Sequence, residues 1–364
     1  MITFGYALRR LGASVLMLLV LTLLTFALYR AIPANPAGFL VDLSPGAPHS
    51  PAAIAKAEKT LGVDRPIWEQ YALYLWRLAH GDLGIAFQGT RAVPLSNQRT
   101  GQAVGPAVVH AAMVTGSVVV GGALFALLLS VPLGAVAASR PRSLTDRTIL
   151  VVSLIGICTH PLVVALLLQQ FPGRRWGLVP PGNYCPFFGT SQPGPFDFST
   201  LTRAASCGGP TAWASHLILP WITFALFFLA IYTRLVRVRM IEVMDEPFIR
   251  TAAAKGASRS RVVRHHALRN ALGPVLTLVG MDVGLALGIA LYIESVYRLP
   301  GLGLTTLGAL SGGAGYDLPM ILGVVLVIGV VIVTVNFAID LAVLWMDPRA
   351  AQAGARRSVV GRIA

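Results

Sequence analysis

Six long apolar runs constrain the fold of this chain more than any other feature of its sequence. Each run has about 20 or more residues with few charges, which is the length that an α-helix needs to cross the hydrocarbon core of a bilayer. Because a helix satisfies its own backbone hydrogen bonds in lipid, the runs predict an all-α membrane protein with six transmembrane helices. The six runs are residues 11–29, 108–138, 148–171, 215–236, 274–296 and 319–345.

The composition supports a membrane protein and argues against other classes. Of the 364 residues, 55% are apolar and only 12% are charged, so a water-soluble chain would expose large apolar patches. The net charge of +14 is compatible with nucleic-acid binding, but the basic residues lie in loops between the apolar runs and do not alternate with aromatic side chains. We therefore expect the lipid bilayer, and no nucleic acid, as a partner.

The distribution of positive charge predicts which side of the membrane each loop faces. With six spans both termini lie on one side, and the short segments on that side hold 18 of the 29 Lys and Arg residues. Because cytoplasmic loops carry the higher density of Lys and Arg, we expect the N- and C-termini in the cytoplasm. The first apolar run is longer than a signal-peptide core and no small-residue cleavage site follows it, which indicates an uncleaved span.

This topology divides the chain into segments with different surroundings. Helical spacing at 52–59 and 67–80 predicts two short helices before the second span. They form either a cap against the membrane or a contact for a gate or a partner. The predicted segments are an N-terminus with the first span (1–30), an extracytoplasmic region (31–107), the core of spans two to six (108–346) with its extracytoplasmic loop (172–213) and cytoplasmic loop (237–272), and a cytoplasmic tail (347–364).

The most informative stretch lies in the cytoplasmic loop between spans four and five and reads DEPFIRTAAAKGASRSRVVRHHALRN from residue 245. Pro247 after two acidic residues predicts a helix start, Gly256 predicts its end, and Ser258 predicts the N-cap of a second short helix. Two short helices with many arginines and one small apolar face suit a groove on another protein. An arginine-rich loop on anionic lipid is the alternative, but lipid attraction does not require alanines and glycine in a fixed register. The expected apolar face comprises Phe248, Ile249, Ala252 and Gly256.

The same loop resembles the coupling loop of bacterial ABC importer permeases, in the variant of the oligopeptide/dipeptide branch. The Glu-Ala-Ala of the family is commonly Arg-Thr-Ala in that branch, which Arg250-Thr251-Ala252 matches, and Ala254-Lys255-Gly256 follows it. An Arg-His-Ala-Leu-Arg-Asn ending is matched by Arg264 and residues 266–270, with His265 between them as a departure. The His160-Pro161 pair also departs from the family. Other matching pieces are residues 61–66, 80–84, 132–134, 294–297, 300–303 and 347–349.

The resemblance implies a type I ABC importer permease in the inner (cytoplasmic) membrane of a bacterium, forming half of a pathway for peptides. It implies a heterodimer with a second permease subunit, two ATP-binding subunits and an extracytoplasmic substrate-binding protein. The residues that it assigns to the contact with the ATPase are Phe248, Arg250, Thr251, Ala252, Lys255, Gly256, His266, Leu268, Arg269 and Asn270.

The chain lacks the residues that bind nucleotide phosphates. It contains no G-x-x-x-x-G-K-[ST] motif, so we expect no catalytic site and no cofactor of its own, with ATP and Mg²⁺ held by the partner subunits. Its histidines are scattered singly, and no cluster has the spacing of metal ligands, which predicts no metal site. Cys185 and Cys207 share a loop on the oxidising side, where a disulfide is plausible.

The fifth apolar run contains two acidic residues and three regularly spaced glycines, and each set suggests a function. Asp282 and Glu294 either line the pathway or form hydrogen bonds between helices, because a buried charge in the bilayer costs at least about 2.5 kcal/mol. Gly280, Gly284 and Gly288 recur every four residues, a pattern that favours close helix packing and indicates a contact with the second permease.

Three alternative functions remain open from the sequence. The first is an ABC importer permease for another small solute such as nickel or glutathione. The second is a membrane enzyme, which needs catalytic side chains gathered at one depth. The third is an ion-driven secondary carrier, which the intramembrane acids suit but which leaves the basic loop around Arg250 unexplained.

Overall fold

A computed structural model of the chain describes residues 2–31, 66–86, 103–189, 196–197, 202–203, 207–310 and 317–346. Most of this part of the chain is helical, as the apolar runs predict. The helix expected at 52–59 and the tail at 347–364 lie outside the described residues. The helix expected at 67–80 is confirmed and ends one residue earlier.

The helices follow the apolar runs closely, and each is numbered in chain order. The first six are α1 (Ile2–Ala31), α2 (Ile67–Ala79), α3 (Val104–Ser139), α4 (Leu144–Cys158), α5 (Pro161–Leu168) and α6 (Pro210–Met244). The others are α7 (Pro247–Ala254), α8 (Arg259–Arg261), α9 (Leu268–Met281), α10 (Val283–Tyr297), α11 (Leu302–Leu310) and α12 (Leu318–Met346).

Four shorter elements complete the described part of the chain. A π-helical stretch, Gln169–Arg175, follows α5, and another, Val262–Ala267, joins α8 to α9. Two strands of two residues each, β1 (Phe196–Asp197) and β2 (Thr202–Arg203), pair antiparallel with Phe196 opposite Arg203.

Four described helices are long and apolar enough to cross a membrane by themselves, and two bent helix pairs bring the total to six if each pair is one span. The span predicted at 148–171 is not one continuous straight helix. Helices α4 and α5 meet at an angle of 93°. Pro161 causes this break, because a proline disfavours helical backbone in the preceding residue, and His160 is accordingly extended (φ −60°, ψ 135°).

The span predicted at 274–296 is bent as well. Helices α9 and α10 are bent by 60° at Asp282, which ends one helix and begins the next. The backbone of Asp282 nevertheless stays helical (φ −81°, ψ −1°), and its N–H donates to the carbonyl of Leu278. The bend therefore occurs without a long interruption of the backbone hydrogen bonds.

The chain divides into two compact units, each with its own apolar core. One unit comprises Met1–Met113 with Pro300–Phe337, and its core includes Val104, Val108 and Met320. The other comprises Val114–Leu299 with Ala338–Ala364. Its core has two clusters, one around Phe224 and Phe228 and one beneath the predicted coupling loop.

Close packing of α3 against α6 organises the second unit. Gly121 faces the indole of Trp221, and Gly134 faces Val236, so closely that a methyl group at either glycine would overlap the opposite side chain. The Trp221 indole N–H also donates to the Ser117 carbonyl at 3.0 Å. Small residues on α3 thus let the α6 backbone and its large aromatic side chains approach closely.

Candidate coupling surface

Helix α7 begins and ends where the sequence predicts. Glu246 is extended, Pro247 occupies the first helical position, and Thr251 donates from its hydroxyl to the Pro247 carbonyl at 3.0 Å. Gly256 follows the helix with a φ of +83°, the left-handed conformation that glycine adopts without a steric penalty. These local preferences fix a short helix of eight residues on the loop between α6 and α9.

One side of this loop is anchored in the apolar cluster beneath it. Ile249 of α7 is 4% exposed, and Val262 and Ala267 of the following helical stretch are buried with it. They pack in one cluster with Met240 of α6 and Ala138 of α3. The loop therefore has a fixed position on the ends of α3 and α6.

The opposite side of the loop is exposed and strongly basic. The expected apolar face of α7 is only partly correct, because Ile249 is buried whereas Phe248, one residue earlier, is 42% exposed. Consecutive helical residues point about 100° apart, so both cannot face the same core. Ala252 is half-buried and Gly256 is exposed. The exposed residues of the loop include Phe248, Arg250, Thr251, Lys255, Arg259, Arg261, Arg264, Arg269 and Asn270.

The second helix of the loop is not a short separate helix, contrary to the prediction. Residues from Arg259 onward continue through the π-helical stretch into α9, so this segment is the start of a span. Ser258 has the extended backbone of an N-cap, but its side chain caps nothing, and its carbonyl accepts from the N–H of Val262. A rigid connection therefore runs from the basic surface directly into the bent α9–α10 pair.

The Arg-His-Ala-Leu-Arg-Asn ending of the loop lies on this continuous helix, where its residues differ in exposure. His266 and Leu268 are half-buried, whereas Arg269 and Asn270 are exposed. The Asn270 amide donates to the carbonyl of His266 at 2.8 Å, one turn earlier. His265 lies in the π-helical stretch Val262–Ala267.

Two arginines connect the loop region to the neighbouring helices. Arg259 donates from Nη2 to the carbonyl of Ser139, the last residue of α3, at 2.7 Å. Arg237 of α6 forms a two-point ion pair with Asp146 of α4, with N–O distances of 2.5 and 2.7 Å. The Asp146 carboxylate also accepts from the backbone N–H of Arg142 at 2.8 Å.

Sequence reasoning missed Asp146, Arg237 and Arg259 as members of this region. A local signal was present for Asp146, since Ser143-x-x-Asp146 has the spacing of a capping box, and the Ser143 hydroxyl accepts from the Asp146 N–H at 3.2 Å. No comparable signal identifies its partner, because Arg237 is 91 residues away along the chain.

The two intramembrane acids both hydrogen-bond to neighbouring helices. Tyr232 of α6 donates its hydroxyl to Asp282 at 3.3 Å. Glu294 of α10 is fully buried and accepts from the Thr115 hydroxyl of α3. Both contacts correspond to the interhelical alternative of the sequence analysis, while a role of either acid in a pathway stays a prediction.

The three predicted packing glycines do not form one ladder. The bend at Asp282 puts Gly280 on α9 and Gly284 and Gly288 on α10. Gly280 is buried against Ile339 of α12 in this same chain, whereas Gly284 and Gly288 are exposed. Only the latter two are placed to contact another subunit.

Cys185 and Cys207 are joined in a disulfide, with Cα atoms 5.6 Å apart. The structure also brings His216 to this pair, so that the three ligand atoms lie within 4.8 Å of one another, which sequence spacing did not indicate. The thiolate is the form of cysteine that ligates a metal, and a disulfide removes it. We therefore interpret the disulfide as a structural cross-link that closes the loop, and not as part of a metal site.

Comparisons with known proteins agree with this geometry. Residues 130–352 match the family described as binding-protein-dependent transport system inner membrane component, and residues 1–96 match its N-terminal region. The dipeptide transport system permease protein DppB of Alkalihalophilus pseudofirmus is 32% identical over 355 residues, which cover 95% of this chain and 98% of the relative. DppB of Escherichia coli strain K12 is 32% identical over 348 residues, covering 94% and 98%.

A solved structure shares the fold at low sequence identity. A chain of the MetNI methionine ABC transporter, in an inward-facing conformation, aligns with a TM-score of 0.50 and 15% identity. The alignment covers 66% of this chain and 96% of that chain. At this identity the likeness concerns the fold alone.

Proposed function

Because the chain belongs to the family of binding-protein-dependent transport system inner membrane components, we propose that it is the permease subunit of an ATP-driven importer of dipeptides or other short peptides. It forms half of a translocation pathway, and the other half is a second permease subunit. An extracytoplasmic binding protein delivers the peptide, and two partner ATPases bind ATP and Mg²⁺. This chain itself has no catalytic role.

One observation carries this proposal: a basic, exposed surface whose opposite side is fixed to the transmembrane helices. Arg250, Thr251, Lys255 and Gly256 face outward while Ile249 holds the same short helix in the core. A surface of this kind transmits a force only if it is anchored, and the Arg259–Ser139 hydrogen bond adds to that anchoring. Movement of an ATPase against α7 then shifts α3, α6 and α9 together.

The proposed topology has six spans with both termini in the cytoplasm. The four long helices, with each of the two bent pairs taken as one span, support a count of six crossings. The positive-inside rule then puts the basic loop with α7 on the cytoplasmic side, where ATP is available. The same topology puts the Cys185–Cys207 disulfide on the oxidising side of the membrane.

The peptide substrate is proposed because the similar proteins are dipeptide transport permeases. Within the chain, Asp282 and Glu294 are the candidate pathway residues, since each bears a carboxyl group at a bend or a helix contact within the spans. Exposed Gly284 and Gly288 on α10 are the candidate contact with the second permease.

The experiment that tests the proposal uses the complete transporter, purified with its partner subunits and reconstituted in vesicles with its binding protein. We expect ATP-dependent uptake of a labelled dipeptide, which an excess of unlabelled dipeptide inhibits and nickel or glutathione does not. The variant Arg250→Glu reverses one charge of the exposed surface. It should weaken the retention of the ATPase subunits and lower uptake at least tenfold, equivalent to about 1.4 kcal/mol.

A matched charge reversal serves as the control. Arg174 is also exposed, but it follows α5 in the π-helical stretch far along the chain from α7, so Arg174→Glu should leave the ATPase bound and uptake unchanged. Full retention of the ATPase and full uptake by Arg250→Glu would contradict the coupling role. Uptake driven by an ion gradient without ATP would instead identify a secondary carrier.

A further inference from the structure

Helix α2 is held against α1 by paired polar and aromatic contacts. The Tyr71 hydroxyl lies 3.1 Å from the Thr22 Oγ1, and the Tyr74 hydroxyl lies 3.2 Å from the Thr25 Oγ1. Either hydroxyl can be the donor in each pair, and both threonine hydroxyls also donate to carbonyls of their own helix. The Phe26 ring packs against both tyrosine rings, with centroid distances of 5.3 and 5.8 Å.

These contacts place α2 at the depth of the membrane boundary. The apolar part of α1, Leu8–Leu28, has 21 residues, which at about 1.5 Å per residue just spans a hydrocarbon core of about 30 Å. Leu28 is therefore near one boundary of that core. Thr25 and Thr22 precede it by roughly 5 and 9 Å along the helix, so α2 adjoins the last turns of the span.

The face of α2 that points away from α1 is apolar and aromatic. Trp68 is 73% exposed and Trp76 is 61% exposed. Ala72, midway between them, is exposed too, so the three residues form one stripe at a spacing of four. We name this stripe the tryptophan face. Tyr71 and Tyr74 occupy the other side of the same helix, and Ile67 at its start is exposed as well.

We infer that the tryptophan face of α2 lies in the lipid bilayer at the boundary between acyl chains and headgroups, and anchors the first span there. A helix fixed beside the end of a span is surrounded by lipid at that depth. Tryptophan prefers this boundary, because its ring is apolar and its indole N–H is polar. Glu69 and Arg77 flank the face with charges that suit the headgroup region.

This inference goes beyond the proposed function, because it concerns the membrane contact of one helix and holds for any substrate. Of the two interpretations of this region that the sequence left open, a membrane-apposed cap and a partner contact, it favours the first. Lipid is the favoured occupant because α2 is attached within the apolar span of α1 and not to a loop.

The test measures tryptophan fluorescence of the reconstituted transporter in vesicles of brominated phosphatidylcholine, since bromine on the acyl chains quenches only nearby indoles. The double variant Trp68→Phe/Trp76→Phe removes the two rings of the tryptophan face and keeps an aromatic ring at both positions. We expect the fraction of fluorescence quenched by brominated lipid to fall in this variant. Bromine near the glycerol end of the acyl chains should quench the fluorescence of Trp68 and Trp76 more than bromine near the methyl end.

The control variant is Trp221→Phe, which removes a core indole that is only 8% exposed. In this control the quenched fraction should stay the same or rise. A second measurement attaches a nitroxide to Ala72→Cys in a Cys158→Ser background and compares its collisions with oxygen, which concentrates in lipid, and with a water-soluble nickel chelate. Dominant collisions with oxygen support the lipid contact.

Two results would overturn the inference. One is an unchanged quenched fraction in the double variant together with preferential access of the chelate to the nitroxide, which would place the face in water. The other is protection of the nitroxide from both reagents, which would mean that a protein subunit covers it. Neither result bears on ATP-dependent uptake, so failure here is distinguishable from failure of the proposed function.

Discussion

The Arg237–Asp146 ion pair joins α6 to α4 through two hydrogen bonds. The carboxylate is buried, accepts two bonds from Arg237 and a third from the Arg142 N–H, and the guanidinium is 20% exposed. A buried charge that loses its partner costs far more than an exposed one, because neither water nor another donor replaces the lost bonds. We therefore expect this pair to contribute to the stability of the second unit.

We predict that Arg237→Ala lowers the free energy of unfolding by about 3 kcal/mol, since it leaves the Asp146 carboxylate without its main partner. The measurement is the thermal unfolding midpoint of the purified transporter, followed by ATP-dependent uptake. Arg239→Ala, two residues on, breaks the exposed Arg239–Glu242 pair and should cost less than about 1 kcal/mol. Equal decreases in the free energy of unfolding would show that the buried pair stabilises the protein no more than the exposed pair does.

At the scale of elements, the contact between α3 and α6 depends on glycines at particular positions. Gly121 and Gly116 lie on the same helix, yet only Gly121 faces a large side chain. A methyl group on Gly121 would overlap the Trp221 indole, whereas one on Gly116 would meet nothing within 4 Å. The two positions therefore form a natural pair for comparison.

We predict that Gly121→Ala destabilises the protein by about 1–3 kcal/mol, because the Trp221 side chain has to move and its hydrogen bond to Ser117 is strained. Gly116→Ala should be neutral within about 0.5 kcal/mol, since alanine suits a helix and the space is open. Unfolding of the detergent-solubilised protein measures both. A loss at Gly116 as large as that at Gly121 would contradict the packing argument.

The bends in the helix pairs are a second feature of the elements. The α4–α5 bend has a local cause in Pro161, whose ring excludes helical backbone at His160. The α9–α10 bend has no proline at Asp282, and the Tyr232 hydroxyl contacts the carboxylate there. The sequence around Asp282 therefore gives no proline signal from which that bend could be predicted.

At the scale of the whole molecule, the proposed topology puts the basic surface on the cytoplasmic side, where the ATPases bind. It puts the disulfide on the extracytoplasmic side. Ser258 is exposed in the predicted coupling loop, and Phe188 is exposed beside the Cys185–Cys207 disulfide. Their side chains report on opposite faces of the membrane if both termini are cytoplasmic.

We predict that a membrane-impermeant maleimide labels Phe188→Cys in intact spheroplasts and labels Ser258→Cys only after permeabilisation. Both variants are made with Cys158→Ser, because Cys158 is an exposed free thiol. The extent of labelling is read by gel shift. Labelling of Ser258→Cys in sealed spheroplasts would reverse the assigned topology.

The sequence alone determined the features that depend on neighbouring residues. Apolar content over about 20 residues fixed the helices α1, α3, α6 and α12, and the loop helix begins at Pro247 and ends before Gly256 as predicted. Backbone preferences of proline and glycine and the length of an apolar run act locally, so they are readable without any knowledge of the fold.

The tertiary structure alone decided which side of each element finds a partner. It buried Ile249 and exposed Phe248, divided the glycines of 280–288 between two helices, and paired Arg237 with Asp146 across 91 positions. These outcomes depend on distant residues that reach the same place only after the helices pack. The sequence thus determined where the spans and the coupling helix lie, and packing determined which of their residues are anchored and which are free to contact a partner.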